Sequence, residues 1–148
     1  MTQTDTSIDP LYTTMGLVRI VSVDPAGRAV LEYNATAQLC HSGGVVQGGF
    51  VTGWIDAAMA HAAMASAASA GSDVVPMSLE IKVSFFAPAR PGLVIAEGWV
   101  ERRGRQTCFA EGRLTDSSGK VLAKASSTLM LVEKAKVEAA SRAALATA

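Results

Sequence analysis

Apolar and polar residues alternate along most of this chain with the two-residue period of half-buried β-strands. Leu17 to Val23 is rich in β-branched residues and predicts a strand. Asp24-Pro25-Ala26-Gly27 predicts a turn, with Pro suited to its second position and Gly free to take positive φ. Arg28 to Thr36 returns as a second strand, Ala29, Leu31 and Tyr33 alternating with Arg28, Val30 and Glu32, so the two form a hairpin. Val74 to Phe85 predicts a long strand. Met77, Leu79, Ile81, Val83 and Phe85 are expected on one face, and Ser78, Glu80, Lys82 and Ser84 on the other. Pro88 and Pro91-Gly92 end it. Leu93 to Glu101, Thr107 to Thr115 and Lys120 to Val132 follow as three more strands, joined by the turns at Arg102-Arg103-Gly104-Arg105 and Asp116-Ser117-Ser118-Gly119.

One stretch breaks the alternation. Phe50 to about Ala70 is apolar nearly all round (Phe50, Val51, Trp54, Ile55, Met59, Met64 and many Ala) and contains no proline. Ala and Met favour helix, and an all-round apolar helix is wrapped by other structure. Gly48 and Gly49 stand at its start, and Gly71 is a plausible C-cap. The stretch is long enough to span a bilayer. Its content is mostly Ala, however, with Asp56, His61, Ser66 and Ser69, so a buried helix of a soluble domain is expected. The order is strand, strand, helix, then four strands linked by short connections. That favours an α+β domain whose antiparallel sheet, of about six strands, curls around one long central helix.

The domain is expected over residues 15–132. Residues 1–14 read as a loose N-terminal segment, and residues 133–148 as an Ala-rich tail, either a short surface helix or frayed. Residues 1–9 are polar and do not read as a signal peptide. Hydrophobic residues make up 49% of the chain, ample for a core, and charged residues only 18%, which points to surface hidden in an oligomer. Net charge is zero and no basic stripe carries interleaved aromatics, so nucleic acid is not an expected partner. Cys40 and Cys108 form neither a disulfide framework nor a zinc spacing, and a reducing, cytoplasmic setting is expected.

Chemistry concentrates around the helix. Asp56 is the only carboxylate between Glu32 and Asp73, and a lone Asp on an apolar helix must be hydrogen-bonded, paired or used. A backbone N–H at the helix start is a donor without an intrahelical partner, where the dipole favours negative charge. Glycine at position 48 lets a carbonyl approach closely. Eight residues separate Gly48 from Asp56, ~12 Å along the axis at about 1.5 Å per residue, too far for both to act on one atom. His61 lies roughly 140° around the helix from Asp56 and reads as structural. Cys40 and His41 are adjacent in extended chain and point apart, which disfavours a nucleophilic pair. Trp54, Met59 and Phe50 could line an apolar pocket or fill the core.

Gln47-Gly48-Gly49 followed by Asp56 resembles the His-Gly-Gly-x₆-Asp signature of hotdog-fold acyl-CoA thioesterases similar to those of phenylacetate pathways. Ser78 to Ala89 looks like that family's third strand with its Phe/Tyr-x-x-Pro segment, and Arg103 to Thr107 resembles a later hairpin, so the resemblance runs from about Leu17 to Val132. It implies a homodimer joined sheet edge to sheet edge, often doubled to a homotetramer, with sites at the subunit interface. It also implies no metal or bound redox cofactor, coenzyme A entering only as part of the acyl-CoA substrate. Carried over residue by residue, Asp56 is the base or nucleophile, the Gly48 N–H the oxyanion donor, and Ser78 helps hold water. Gln47 stands where the family has His, and His41 where an Asn is often found. Both are candidate catalytic donors. Gly49, Arg90, Arg103 and Arg105 are candidate substrate contacts, the arginines through the phosphates of coenzyme A. Because one helix separates Gly48 from Asp56, the resemblance implies that each site joins Gly48 of one subunit to Asp56 of the other. Two other readings compete: a non-catalytic acyl-CoA binding module, and a hotdog hydratase or dehydratase.

Overall fold

A computed structural model describes residues 10–147 of the chain. The elements are α1 (Pro10–Met15), β1 (Leu17–Asp24), β2 (Arg28–Ala35), the two-residue strands β3 (Cys40–His41) and β4 (Val45–Val46), α2 (Gly48–Ser69), β5 (Val74–Phe85), β6 (Gly92–Arg103), β7 (Thr107–Asp116), β8 (Val121–Glu133) and α3 (Lys134–Ala146). The six long strands form one antiparallel sheet in the order β1-β2-β6-β7-β8-β5. This is the hotdog architecture, with α2 as the filling.

The sheet can wrap a helix so closely because glycine and alanine line the contact. A Cβ on Gly98 of β6 would lie 2.4 Å from the backbone of Ala58 and Met59, and one on Gly112 of β7 would lie 2.7 Å from Ile55. Trp54, Ile55, Ala58, Met59, Ala62 and Ala63 of α2 are fully buried against Leu31, Tyr33, Val94, Ala96, Leu114 and Leu129 from the sheet. Trp54 and Met59 are therefore core, not pocket wall. The Trp54 ring packs 5.6 Å from Tyr33, and its Nε1–H donates to the Met15 carbonyl at 2.8 Å. The helix closes as expected at Gly71 (φ 79°). The Gly71 and Ser72 amides bond back to Ala68 and Ala67, a Schellman arrangement that satisfies the last carbonyls.

Three local features differ from the sequence expectation. Residues 10–15, expected to be loose, form the short helix α1, which docks on α2. Met15 reaches Gly53, and Tyr12 Oη bonds His61 Nε2 at 3.2 Å. Residues 1–9 lie outside the described residues. The loop before α2 contains the small β3–β4 hairpin. The facing of β5 also changes along its length. Its pairing with β8 slips between Ser78 and Glu80, a bulge at Leu79. One extra residue reverses the side-chain parity. Ser78 therefore joins the inward set ahead of Ile81, Val83 and Phe85, whereas Met77 and Leu79 point outward and are exposed. No helix among the described residues is long and apolar enough to cross a membrane.

On the outer face of the sheet, Glu97 is 8% exposed and bonded by Arg28 and Arg113, the latter also lying 5.9 Å over the Trp99 ring. Burial of this carboxylate is tolerable because both its oxygens are paired.

Candidate functional site

The N-terminus of α2 is held from three sides. Its cap residue Gln47 donates its N–H to the Leu39 carbonyl at 2.9 Å, and its own carbonyl accepts from the Phe50 N–H at 3.0 Å. The Gln47 Oε1 accepts from the Gly49 N–H at 2.7 Å. These bonds use the amides of Gln47, Gly49 and Phe50. The Gly48 N–H meets no acceptor among the described residues and stays available at the positive end of the helix dipole. Since Oε1 is committed to Gly49, the donor half of the Gln47 amide is the half left to face a ligand. Thr52 Oγ1 bonds the Gly48 carbonyl at 2.8 Å, stiffening the first turn.

Phe85 closes over this end of the helix. A Cβ at position 48 would lie 3.1 Å from its ring, so any larger residue there would press the ring outward. Around Gly48 opens a groove of about 380 Å³ lined by Val45, Val51, Phe85, Phe86, Pro88 and Leu122, among others. Phe85 and Phe86 are 55% and 59% exposed. In the sequence the groove is marked only by that pair of adjacent phenylalanines ahead of Pro88.

Asp56 lies farther along the same helix. Its Oδ1 accepts a 2.6 Å hydrogen bond from Ser78 Oγ, made possible by the bulge at Leu79. Among the described residues no cation pairs with Asp56, and it is only partly buried. A carboxylate held by one hydroxyl keeps free lone pairs for a water.

The other candidates separate. His41 pairs across the hairpin with Val45, which lines the groove, and cross-strand partners share a face. His41 is exposed on this hairpin, its Nδ1 2.9 Å from the Ser42 carbonyl. Cys40 does not engage it. The Cys40 thiol points back to the Thr36 carbonyl. Arg90 Nη1 reaches the Gly43 carbonyl at 3.5 Å beside the same hairpin. Arg103 is at the far end of α2, where its Nε–H donates to Ser66 Oγ at 3.0 Å, and Arg105 occupies the exposed β6–β7 turn. Eighteen residues separate Ser66 from Gly48, ~27 Å along the helix at about 1.5 Å each. Within one chain Arg103 is thus remote from Gly48. His61 ties α1 to α2 through Tyr12 and the Ala57 carbonyl, and burial lowers its pKa, the Ala57 bond opposing that shift. Burial pushes the Cys108 thiol up, with Arg103 opposing, so it stays protonated and inert.

Each chain therefore carries two candidate half-sites: a free amide with its groove at the start of α2, and a Ser-bonded carboxylate two turns on. The sequence pattern of the family described as Thioesterase superfamily matches residues 43–123, a span containing Gln47, Gly48, Asp56 and Ser78. Among solved structures the chain is similar to a candidate thioesterase of Ralstonia eutropha JMP134 described as a phenylacetic acid degradation-related protein. The two are 34% identical over 81% of this chain and 88% of that one, with TM-score 0.71. It is similar in fold to the Escherichia coli PaaI protein from the phenylacetic acid degradation operon (21% identity, 85% and 86% covered, TM-score 0.75). A candidate esterase of Mycobacterium tuberculosis is 26% identical over 84% of this chain and 98% of that one, with TM-score 0.75. None of the curated proteins compared matches the chain.

Proposed function

The chain belongs to the thioesterase superfamily, and on that footing we propose that it hydrolyses acyl-CoA thioesters to the free acid and coenzyme A. The observation that carries this reading is the free Gly48 N–H at the start of α2, beside a groove, with every neighbouring amide already bonded. A donor fixed in place before the reaction, where negative charge develops on the thioester oxygen, lowers the barrier without reorganisation. Asp56, oriented by Ser78, supplies the base that takes a proton from water, or the nucleophile itself. In this reading the Gln47 amide donor assists at the carbonyl and His41 at the departing thiolate, and Gly49 and Arg90 are the candidate substrate contacts.

The two half-sites belong to one reaction if two chains meet. β5 is an edge strand of the sheet with an unpaired outer edge, 12 residues long. Such edges favour pairing with another strand. Antiparallel pairing of β5 with its own copy about the middle of the strand would run the Ser78 end of one strand alongside the Phe85 end of the other. Ser78 holds Asp56 and Phe85 covers Gly48, so this register brings the carboxylate of one subunit to the amide of the other. The protein is accordingly read as a homodimer or homotetramer with shared sites. No step requires a metal or redox cofactor.

The test is release of free thiol from a panel of acyl-CoAs by the wild type, Asp56→Asn and Asp56→Ala. Loss of a positioned general base is expected to cost about 10²–10⁴ in kcat. Unchanged turnover in both variants would remove Asp56 from the mechanism. Acyl-CoA binding without turnover by the wild type would leave the binding-module reading.

A further inference from the structure

The groove beside Gly48 is apolar in a way that bears on the acyl group. Its side chains, Val45, Val51, Phe85, Phe86, Pro88 and Leu122, carry no hydrogen-bonding group. Its backbone is also largely spent. The Val46 N–H donates to the Ala89 carbonyl at 2.9 Å, and the Phe86 and Ala87 N–H groups both donate to the Leu122 carbonyl at 2.8 and 3.1 Å. The cation nearest in sequence, Arg90, is turned to the Gly43 carbonyl. Apart from the Gly48 N–H, a hydroxyl or carboxylate lying against these walls would find no partner. Phe86, half-exposed at its rim just beyond the end of β5, is large apolar surface for a ligand to cover. At about 30 Å³ per water-sized group, 380 Å³ of open groove accommodates on the order of ten carbon-sized groups.

Resting on the hydrolysis proposed above, we infer that this groove holds the acyl group, and that the preferred substrates are medium-length apolar acyl-CoAs without a polar end group. With its carbonyl oxygen at the Gly48 N–H, the acyl tail runs between Val45 and Val51 on one side and Phe85, Phe86 and Leu122 on the other. Selectivity then comes from one chain and the catalytic carboxylate from its partner.

The test is kcat/KM for saturated acyl-CoAs from acetyl to decanoyl, with 6-hydroxyhexanoyl-CoA and adipoyl-CoA beside hexanoyl-CoA. Burial of each methylene is expected to raise kcat/KM about two- to fourfold until the groove is full. The terminal hydroxyl should cost about tenfold to a hundredfold, and the carboxylate more. Val45→Phe narrows the groove and should move the optimum to shorter chains, and Phe86→Ala should flatten the rise with length. An optimum at acetyl or adipoyl, or a length profile unchanged in both variants, overturns the inference while leaving hydrolysis intact. If no thioester is cleaved, the hydrolysis reading fails, and calorimetric binding of octanoyl-CoA against coenzyme A decides the groove separately. Tighter octanoyl-CoA binding that Val45→Phe abolishes supports it. Equal affinities for the two ligands overturn it.

Discussion

Ser78 accepts a role only because it holds Asp56, and that makes it the sharpest residue to test after Asp56 itself. Removing a hydrogen bond to a charged group costs about 1.5–3 kcal/mol, so Ser78→Ala should lower kcat about tenfold to a hundredfold, with stability nearly unchanged because Ser78 is exposed. A kcat within twofold of wild type would show that the hydroxyl does not position the base. Gln47 has two duties that substitution separates. Gln47→Ala removes the bond to the Gly49 N–H and should destabilise the protein by about 1 kcal/mol, read as a lower midpoint in urea. Gln47→Glu keeps the acceptor and removes the amide donor, so it should retain stability and lose turnover. His61 provides a pH test of stability. Its folded pKa is lowered by burial, so below ~6.5 the unfolded chain binds a proton that the folded chain resists. Stability should therefore fall as pH drops from about 7.5 to 5.5, and His61→Gln should reduce that slope. Equal slopes in thermal melts of both proteins would remove His61 as the cause. At this scale the sequence marked the candidate residues but not how they are aimed. The lone Asp56 and the Gly48-Gly49 pair stood out by type and spacing, whereas the free amide became evident only when every neighbouring N–H had a named acceptor.

At the scale of elements, the close packing of α2 on the sheet rests on positions without side chains. Gly98→Ala would drive a Cβ into the backbone of Ala58 and Met59. Backbone cannot yield as a flexible side chain can, so a loss of about 2–3 kcal/mol is expected, measured by denaturant unfolding. A loss below 0.5 kcal/mol would mean the helix sits less tightly than described. The strands and α2 were legible because their periods are long: β2 and β7 alternate in burial, and α2 ends at its glycine. The facing of β5 was not. Its residues alternate in type through Leu79, and a bulge, set by pairing with β8, adds a residue without any mark in composition. Ser78 turns inward for that reason. The helix α1 was hidden for another: six residues with little apolar pattern become helical by docking Tyr12 and Met15 on α2.

At the scale of the whole molecule, the proposed hydrolysis has a paired requirement that one chain does not meet. The donor and the carboxylate are both on α2, eight residues apart, and their spacing along the helix keeps them from one reacting atom. The unpaired edge of β5 offers the relation that joins them, and the low charge content of the chain agrees with surface covered by a second copy. Mixed dimers test this directly. Gly48→Val should abolish turnover by setting a branched side chain against Phe85 and the approaching carbonyl, and Asp56→Asn should abolish it by removing the base. Co-expressed, differently tagged copies of the two variants would yield heterodimers in which one site carries both substitutions and the other carries neither. With shared sites, random pairing of equal amounts restores about one quarter of wild-type turnover, because half the dimers are mixed and each holds one native site of two. Sites complete within a single chain would leave the mixture as inactive as its parents, and that result would contradict the account.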